Sequence, residues 1–345
     1  SFSRVKGELS MQKYLSFSEP PVFLSYASVV GREERRGPLG ASFDLHDERD
    51  LFGQKTWEKA EGEIGRCALN LALKKARLSP DAVDLLLAGD LQNQCVASSY
   101  GLSSFSIPFL GLYGACSTCT EGLFSLASFL SGCPAYRVGA VVTTSHNCAA
   151  ERQFRLPVEY GGQRPPTAQW TATAGGAFLL SRRKKEDGGV FVLGGMAGKI
   201  VDGQISDGAN MGAAMAPAAA DTLLSYFSQS GASPADFDAV VTGDLGTLGS
   251  RLLLSLLKEH SLDLSAVHVD CGTLLYDTAV QDAHCGASGC GCSAAVLASY
   301  FLPLLAAGKM KNILFLSTGA LMSPTSLLQG ENILGVAPLL RLSSY

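Results

Sequence analysis

The sequence predicts an α/β protein of five layers (αβαβα) built from two similar βαβαβ halves. The first observation is an internal repeat: residues 79–91 (SPDAVDLLLAGDL) and 233–245 (SPADFDAVVTGDL) are identical at six of thirteen positions and similar in character at most of the others, and such repeats can determine a whole fold. The second is that apolar strand-like runs alternate with segments of helical spacing, which favours parallel, buried sheets covered by helices. The third is the length of 345 residues, which suits about two domain-sized units.

The first half, residues 1–185, alternates strands with helices. Runs rich in β-branched and aromatic residues predict strands, and apolar residues at helical spacing predict helices. The predicted strands lie at 20–30, 84–90, 109–116, 137–147 and 175–181, and the predicted helices at 56–78 and 120–132. We expect the last strand to lie at an edge or to return along the sheet. Long loops are predicted at 31–54 and 157–177.

The second half, residues 186–345, repeats this order after a charged turn at 181–189 (SRRKKEDGG), which we interpret as the seam between the halves. Its predicted strands lie at 190–201, 238–244, 265–272 and 312–324, and its predicted helices at 218–231, 250–262 and 292–308. The common order predicts that two similar sheets face each other.

Composition argues against several classes of protein. Hydrophobic residues make up 47% and charged residues 17% of the chain, which describes a compact globule. The formal net charge of −4 gives no basic surface for nucleic acid. No run of about 20 apolar residues is present that could span a membrane. The ten cysteines are expected to be reduced thiols, because we recognise no export signal.

Two cysteine pairs raise the question of a metal. Cys116-x-x-Cys119 and Cys290-x-Cys292 could indicate zinc. Neither pair lies in a short ligand knuckle, and the neighbouring residues are apolar, so buried thiols are the better interpretation. We therefore predict neither a metal site nor a cofactor.

Three polar residues follow successive predicted strands of the first half: Asp90, Cys116 and His146. The carboxyl ends of parallel strands share one edge of a sheet, so these side chains are expected to face a common crevice. Cys116 stands at the entry to a helix after Gly114 and Ala115, small residues that permit a sharp turn. The free N–H groups there, including that of Ser117, would lower the pKa of the thiol. The alternative is a buried structural cysteine.

Arginines follow His146 in the same polar segment. Arg152 and Arg155 could form an anion site, since a guanidinium group matches a carboxylate in two-point contact. Alternatively, they pair with Glu151 and Glu159 and only hold the segment in place. His146 could equally be a strand-end histidine bonded to the backbone.

Further candidates lie in two segments. Trp170, in the loop at 157–177, could stack on a flat ring or simply anchor the loop. The glycine-rich stretch HCGASGCGC (284–292), which includes Gly289, precedes a helix and could present N–H groups to an anion. His268 and His284 are candidates for base chemistry.

Tandem βαβαβ halves with a cysteine at a strand-to-helix junction resemble the thiolase superfamily, whose enzymes form carbon–carbon bonds through an acyl-cysteine. A closer resemblance is to one non-enzymatic branch, the stage V sporulation protein AD family of endospore-forming bacteria. It rests on long strings spread from end to end: EERRGPLG (33–40), LAGDLQNQ (87–94), TTSHNCAAERQFR (143–155), EYGGQRPPTA (159–168), MGAAMAPAAADT (211–222) and GASGCGCSA (286–294).

This resemblance implies a thiolase-like fold and binding of dipicolinic acid (pyridine-2,6-dicarboxylate), free or as its calcium chelate, for uptake into the developing spore. The resemblance supplies the ligand, and the residues expected to bind it are those already singled out from the sequence: Asp90, Cys116, Ser117, His146, Arg152, Arg155, Trp170 and Gly289. It also implies a homodimer, other stage V A-group membrane proteins as partners, and a position on the cytoplasmic side of the developing spore, peripheral to the inner spore membrane.

The alternative is a condensing or acyl-transfer enzyme that uses Cys116 with His146 or His284. Two departures from the superfamily argue against catalysis. The position of one catalytic partner is expected at 269–272, which contains Asp270, and an acidic side chain there would oppose thiolate formation. The final glycine-rich loop, 317–320, lacks the second cysteine of a thiolase.

Overall fold

A computed structural model describes residues 13–154, 164–182 and 188–345. The strands are β1 Leu15–Ser16, β2 Val22–Val30, β3 Leu45–His46, β4 Leu85–Gly89, β5 Phe109–Leu112, β6 Val138–Ser145, β7 Trp170–Thr171, β8 Ala174–Ser181, β9 Val190–Met196, β10 Val201–Asp202, β11 Ala239–Thr242, β12 His268–Asp270, β13 Ala287–Ser288, β14 Asn312–Leu316, β15 Gly319–Leu321, β16 Leu334–Val336 and β17 Leu339–Ser344. The helices are α1 Arg32–Arg36, α2 Trp57–Ala76, α3 Val96–Leu102, α4 Thr118–Gly132, α5 Asn147–Phe154, α6 Met211–Ser230, α7 Gly246–Glu259, α8 Cys271–Leu275, α9 Cys290–Val296, α10 Leu302–Ala306 and α11 Pro324–Leu328.

The framework is one continuous 12-stranded hydrogen-bonded array that consists of two similar five-stranded parts, here called the first and second sheet, with β1 and β3 added at β9 and β2. The first sheet has the strand order β2-β8-β6-β4-β5 and the second β9-β17-β14-β11-β12. They meet where β2 pairs with β9 through Val22 and Phe191. In each sheet one strand, β8 or β17, is antiparallel to both of its neighbours, whereas the remaining ladders are parallel.

One expectation about the strands was wrong, because neither sheet is wholly parallel. Of the two alternatives for the strand at 175–181, the return strand is confirmed: β8 runs antiparallel between β2 and β6 and does not lie at an edge. β17, its counterpart, was not predicted. Both strands are buried on both faces, and apolar composition alone does not distinguish the direction or the place of a buried strand.

The helices complete five layers, as predicted. α2 and α3 pack on each other, and α2 covers one face of the first sheet; α6 and α7 pack on each other over the second sheet. α4 lies between the sheets, in contact with β4 and β6 on one side and with β9 and β17 on the other. α9 lies beside α4 and packs on β8, and α10 contacts β9 and β17. The central core is therefore shared by both halves.

Local chemistry explains most helix ends. The Thr56 hydroxyl accepts a hydrogen bond from the N–H of Lys59 at the start of α2, and Arg77 ends this helix with a positive φ of 56°. The predicted helix at 292–308 is observed as α9, a π-helical segment Leu297–Phe301, and α10. Pro303 has no N–H to donate, which is consistent with an irregular turn just before it.

Glycines allow the outer helices to approach each other closely in both halves. A β-carbon at Gly101 in α3 would lie 2.3 Å from the carbonyl oxygen of Gly62 in α2. A β-carbon at Gly249 in α7 would lie 2.9 Å from the α-carbon of Gly212 in α6. Glycine permits such backbone contact because it has no side chain. The internal repeat of the sequence therefore extends to the way its helices pack.

The remaining expectations concern the seam, the thiols and the membrane. The boundary at residue 185 falls among residues 183–187, outside the described part of the chain, and stays a prediction. All ten cysteines are free thiols. No helix among the described residues has the length and apolar character needed to cross a bilayer.

Candidate ligand-binding site

A cavity of about 350 Å³ opens beside Cys116, and both halves of the chain line it. Its walls combine apolar side chains with hydroxyls. The lining residues are Leu91, Tyr113, Ala115, Cys116, Ala150, Phe154, Thr171, Met211, Ser288, Ala320, Leu321, Met322, Ser323 and Ser326. β7 pairs with β13 in parallel, with Thr171 opposite Ser288, so this two-stranded sheet joins the halves at the cavity wall.

Cys116 reaches the cavity from a strained turn. Ala115 has a φ of 51°, a conformation that is uncommon for a residue with a β-carbon and that costs of order 1–3 kcal/mol. The Ser117 hydroxyl closes the turn by donating to the carbonyl oxygen of Gly114 at 2.6 Å. α4 then begins at Thr118. The predicted sharp turn at the entry to a helix is therefore confirmed.

The partner of the Cys116 thiol is Asp244, which follows β11 in the second half. The thiol lies beside the Asp244 carboxyl group, and the two groups interact electrostatically. The same carboxyl group accepts from the N–H of Gly289 at 2.8 Å and from the Thr318 hydroxyl at 2.9 Å. Asp244 is completely buried, whereas Cys116 keeps a small exposed surface. Cys116 therefore separates Asp244 from the cavity.

Burial reverses the expected effect on the thiol. It raises the pKa of Cys116 well above the usual value, and the neighbouring Asp244 carboxyl group raises that pKa further. Burial also raises the pKa of Asp244 to about 7, although its hydrogen-bond donors partly oppose the shift. The prediction of a lowered thiol pKa was wrong, because desolvation penalises the thiolate more than the helix start favours it.

Asp90 holds a loop and does not line the cavity. It is buried, and its carboxylate accepts hydrogen bonds from the N–H of Gln92, and from the N–H and the hydroxyl of Ser98, all within 2.8 Å. These bonds fix the chain between β4 and α3. Its neighbour Leu91 contributes the cavity wall instead.

His146 is a buried strand-end histidine. Its Nε2 atom donates to the carbonyl oxygen of Asp50 at 2.7 Å, and its Nδ1 atom accepts from the N–H of Cys148 at 3.2 Å. Burial lowers the pKa of its ring, so the neutral form is favoured. The ring lies outside the cavity lining, and this confirms the alternative of bonding to the backbone.

The predicted cationic and aromatic ligand residues also lie outside the lining. Arg152 pairs with Glu58 and lies 5.0 Å from the centre of the Trp57 ring. Trp170 packs against the guanidinium group of Arg164, 4.7 Å from the ring centre. Arg155 falls outside the described residues. The expected arginine pair for a carboxylate is therefore not observed among the described lining residues.

The glycine-rich segment contributes through its backbone. The N–H of Gly289 binds Asp244, and a side chain at this position would meet the Ser145 hydroxyl, 2.8 Å from a β-carbon. His284 lies 3.3 Å from the Asp282 carboxylate, and His268 bonds to the Thr242 hydroxyl. Neither histidine lines the cavity or touches Cys116.

The prediction that Asp270 is the acidic residue near Cys116 was wrong, because Asp244 has that position. Its carboxylate accepts from the Thr242 hydroxyl and from the N–H groups of Leu245, Gly246 and Thr273. It therefore fixes the turn after β11. The repeated Gly-Asp of the sequence contained the correct signal, because Asp244 is the repeat counterpart of Asp90.

The cavity hydroxyls were missed as well. Tyr113, Thr171, Ser288, Ser323 and Ser326 come from separate elements and share no sequence pattern. The lining contains no charged side chain among the described residues. In the same part of the chain, no group of three or more His, Cys, Asp or Glu residues is placed to hold a metal ion.

Comparison with solved structures establishes the type of fold. A variant of OleA from Xanthomonas campestris superimposes with a TM-score of 0.61 at 13% identity, covering 95% of this chain and 99% of that one. The 3-oxoacyl-[acyl-carrier-protein] synthase III of Aquifex aeolicus VF5 gives a TM-score of 0.58 at 13% identity, covering 93% and 99%. The fold is therefore thiolase-like, as predicted.

Sequence comparison establishes the family. Residues 11–342 match the family described as stage V sporulation protein AD (SpoVAD). The stage V sporulation protein AD of Bacillus subtilis (strain 168) is 42% identical over 320 residues, which cover 92% of this chain and 93% of that protein. Both matches extend over both halves and the cavity between them. The chain therefore belongs to the stage V sporulation protein AD family.

Proposed function

We propose that the cavity beside Cys116 binds dipicolinic acid, free or as its calcium chelate, for uptake into the developing spore, and that it does so without catalysis. The observation that carries the proposal is that the Asp244 carboxyl group lies beside the cavity-lining thiol of Cys116. A nucleophilic cysteine needs a neighbouring base or positive charge that favours its thiolate. Here a buried carboxyl group occupies that place, so the thiol serves as part of the wall.

The size and lining of the cavity suit a flat aromatic acid. Leu91, Phe154 and Met322 provide apolar surface for a ring. The hydroxyls of Ser288 and Ser323 can donate hydrogen bonds to carboxylate oxygens. A mostly apolar cavity with a few polar groups is typical of small-molecule sites, and about 350 Å³ lies within their usual range.

The charge of the cavity lining affects whether the free ligand or its calcium chelate can bind. The described lining offers no cation, so the free dianion would depend on hydroxyl and other neutral donors. A chelated calcium ion neutralises the two carboxylates, and ligand and water oxygens can supply most of the roughly 6–8 ligands that calcium takes. Titrations with and without calcium separate these forms.

The proposal is tested by calorimetric titration with pyridine-2,6-dicarboxylate and its 2,3 and 3,5 isomers. We expect binding of the 2,6 isomer alone. Ala150, which packs with Leu91 and Cys116, is replaced by phenylalanine to fill the cavity. This variant should lose at least about 100-fold in affinity, or about 2.7 kcal/mol. Ala307→Phe, at an exposed position at the end of α10, is the matched control and should bind normally.

Equal affinity for all three isomers, or normal binding by Ala150→Phe, would contradict this assignment. The second candidate is a condensing or acyl-transfer enzyme. The strained turn that presents Cys116 to a cavity favours it. A mass increase at Cys116 after incubation with an acyl-CoA, together with no binding of any isomer, would support the enzyme.

We propose in addition that the protein forms a homodimer through β5. This strand is at the edge of the first sheet, with β4 on one side only. Phe109 and Leu110 are exposed there, as is Tyr100 on the neighbouring helix α3. An exposed apolar edge strand favours pairing with another strand, and a second copy of β5 would satisfy it.

If β5 forms the dimer interface, a charged side chain on this strand should disrupt the dimer. Leu110→Asp should convert the dimer into a monomer in sedimentation-velocity experiments, because it places an unpaired carboxylate in the interface. Leu328→Asp changes a more exposed leucine on α11 and should leave the dimer intact. A monomeric wild type, or a dimeric Leu110→Asp variant, would refute the interface.

Membership of a sporulation family supports a place in spore formation. We propose that the protein works on the cytoplasmic side of the developing spore, peripheral to the inner spore membrane. Other stage V A-group membrane proteins would be its partners there. Co-purification of these proteins from sporulating cells, compared between wild type and Leu110→Asp, would test the association.

A further inference from the structure

Four residues form a polar cluster next to the cavity. Asp244 is at its centre: its carboxyl group accepts hydrogen bonds from the N–H of Gly289 and the Thr318 hydroxyl, and the Cys116 thiol lies beside it. They come from separate places in the fold: the turn before α4, the start of α9 and the loop after β14. Cys116 is the member that reaches the cavity.

We propose that Asp244 is a positioning residue that fixes the proton on Cys116 and fills the anion position beside it, so that ligands bind and leave without covalent attachment. This inference rests on the proposed function and deepens it. It explains the absence of catalysis by the presence of one carboxyl group. A missing thiol is not the reason, because Cys116 is present and reaches the cavity.

The first reason is charge. Thiolate formation would place a negative sulfur beside a buried carboxyl group, and neighbouring like charges oppose each other strongly in a desolvated site. Of the two groups, the carboxyl has the lower pKa, about 7, whereas that of the thiol is raised well above the usual value. When the pair loses a proton, the carboxyl group therefore loses it, and Cys116 stays an S–H donor.

The second reason is that the neighbouring donors are already used. An acyl-cysteine reaction needs N–H or O–H groups aimed at the oxyanion that develops beside the sulfur. Two donors next to the pair, the N–H of Gly289 and the Thr318 hydroxyl, both bind Asp244. A reacting carbonyl would have to displace a buried carboxylate from them.

Other groups near the pair offset this effect only in small part. The Cys290 thiol raises the pKa of Cys116 further, and the Asp270 carboxylate raises that of Asp244, whereas the N–H of Gly289 is a smaller influence that lowers the pKa of Cys116. Within the described residues, no cation lines the cavity to favour the thiolate. Removing the charge of Asp244 is therefore the direct way to release the thiol.

The test is the rate of carbamidomethylation at Cys116 as a function of pH, measured by peptide mass spectrometry with iodoacetamide. In this reaction the S–H proton goes to solvent, the sulfur–carbon bond forms and iodide leaves. We expect Asp244→Asn to react at least about 10-fold faster near pH 8 and to show a lower pH midpoint, because the thiolate is the nucleophile. Asp244→Ser removes the charge with a smaller side chain and should act in the same direction.

Asp90→Asn is the matched control, because Asp90 is the repeat counterpart of Asp244, is equally buried and bonds to Gln92 and Ser98 instead of Cys116. It should leave the Cys116 profile unchanged. If wild type is inert and both Asp244 variants are equally inert, the role of Asp244 is refuted while the binding function stands. If wild-type Cys116 already reacts near neutral pH as fast as a free thiol, the non-catalytic function itself fails.

Discussion

Replacement of Gly101 by alanine is expected to lower the free energy of unfolding by about 1–3 kcal/mol. A β-carbon there would lie 2.3 Å from the carbonyl oxygen of Gly62 and 2.7 Å from its α-carbon. These are backbone atoms of α2, so no change of rotamer can make room. α3 would have to move away from α2, and the contact between the outer helices of the first half would loosen.

Gly132→Ala is the matched control for this prediction. Gly132 is the last residue of α4, and a β-carbon there would meet no atom within 4 Å. Alanine should stabilise the protein at this position by about 0.5–1 kcal/mol, because it restricts the unfolded chain. Urea denaturation followed by circular dichroism measures both variants. Equal midpoints for the two variants would show that the helices do not touch at Gly101.

The second large effect concerns Glu34, a fully buried carboxyl group of α1. Its Oε1 atom accepts from the Tyr276 hydroxyl and from the N–H of Thr173, whereas its Oε2 atom has no partner among the described residues. Burial raises its pKa to about 7, and the Asp50 carboxylate adds to the shift. The folded protein therefore keeps a proton on Glu34 that the unfolded chain releases near the ordinary pKa of 4.5.

This proton makes the free energy of unfolding depend on pH. The stabilising contribution of protonated Glu34 is fully present below about pH 4.5 and is lost as the pH rises through about 7. A shift of this size corresponds to about 3 kcal/mol. Asp244 contributes in the same direction, since its pKa is also raised to about 7. We expect wild-type stability to fall across this range, and Glu34→Gln to flatten the fall.

Denaturation curves between about pH 5 and 8 test this expectation. Glutamine keeps the oxygen that accepts from Tyr276 and Thr173, but its side chain does not titrate. As the pH rises, the Glu34→Gln variant should therefore become more stable relative to wild type. In Tyr276→Phe, the loss of a bond that lowers the pKa of Glu34 should extend the fall to higher pH. Parallel curves for wild type and Glu34→Gln would exclude the mechanism.

Much of the fold was predictable because its signals are local. The repeat at 79–91 and 233–245 indicated two halves, and the periodicity of apolar residues located most helices and strands. β17 was missed, and for β8 the choice between an edge strand and a return strand stayed open. Strand direction and neighbours depend on pairing across the sheet, which the pattern within a buried strand does not encode.

The sequence correctly predicted the position of one residue of the site, Cys116. Cys116 follows small residues at a strand-to-helix junction, and this local pattern placed it correctly at the turn. His146 and Arg152 were placed near it because they follow a strand end, but a strand end fixes position along the sheet edge and not the direction of a side chain. Hydrogen bonds to Asp50 and Glu58 turn these two residues away from the cavity.

The sequence by itself determined the α/β class, the two similar halves, the position of Cys116 and the resemblance that identified the family. These follow from repeats, periodicity and contiguous strings. The tertiary structure decided which residues surround Cys116, since Asp244, Gly289 and Thr318 are distant from it along the chain and meet it only when the second half packs against the first. It also decided the chemistry of the thiol, because burial and a neighbouring carboxyl group arise from packing and outweigh the effect of the helix start.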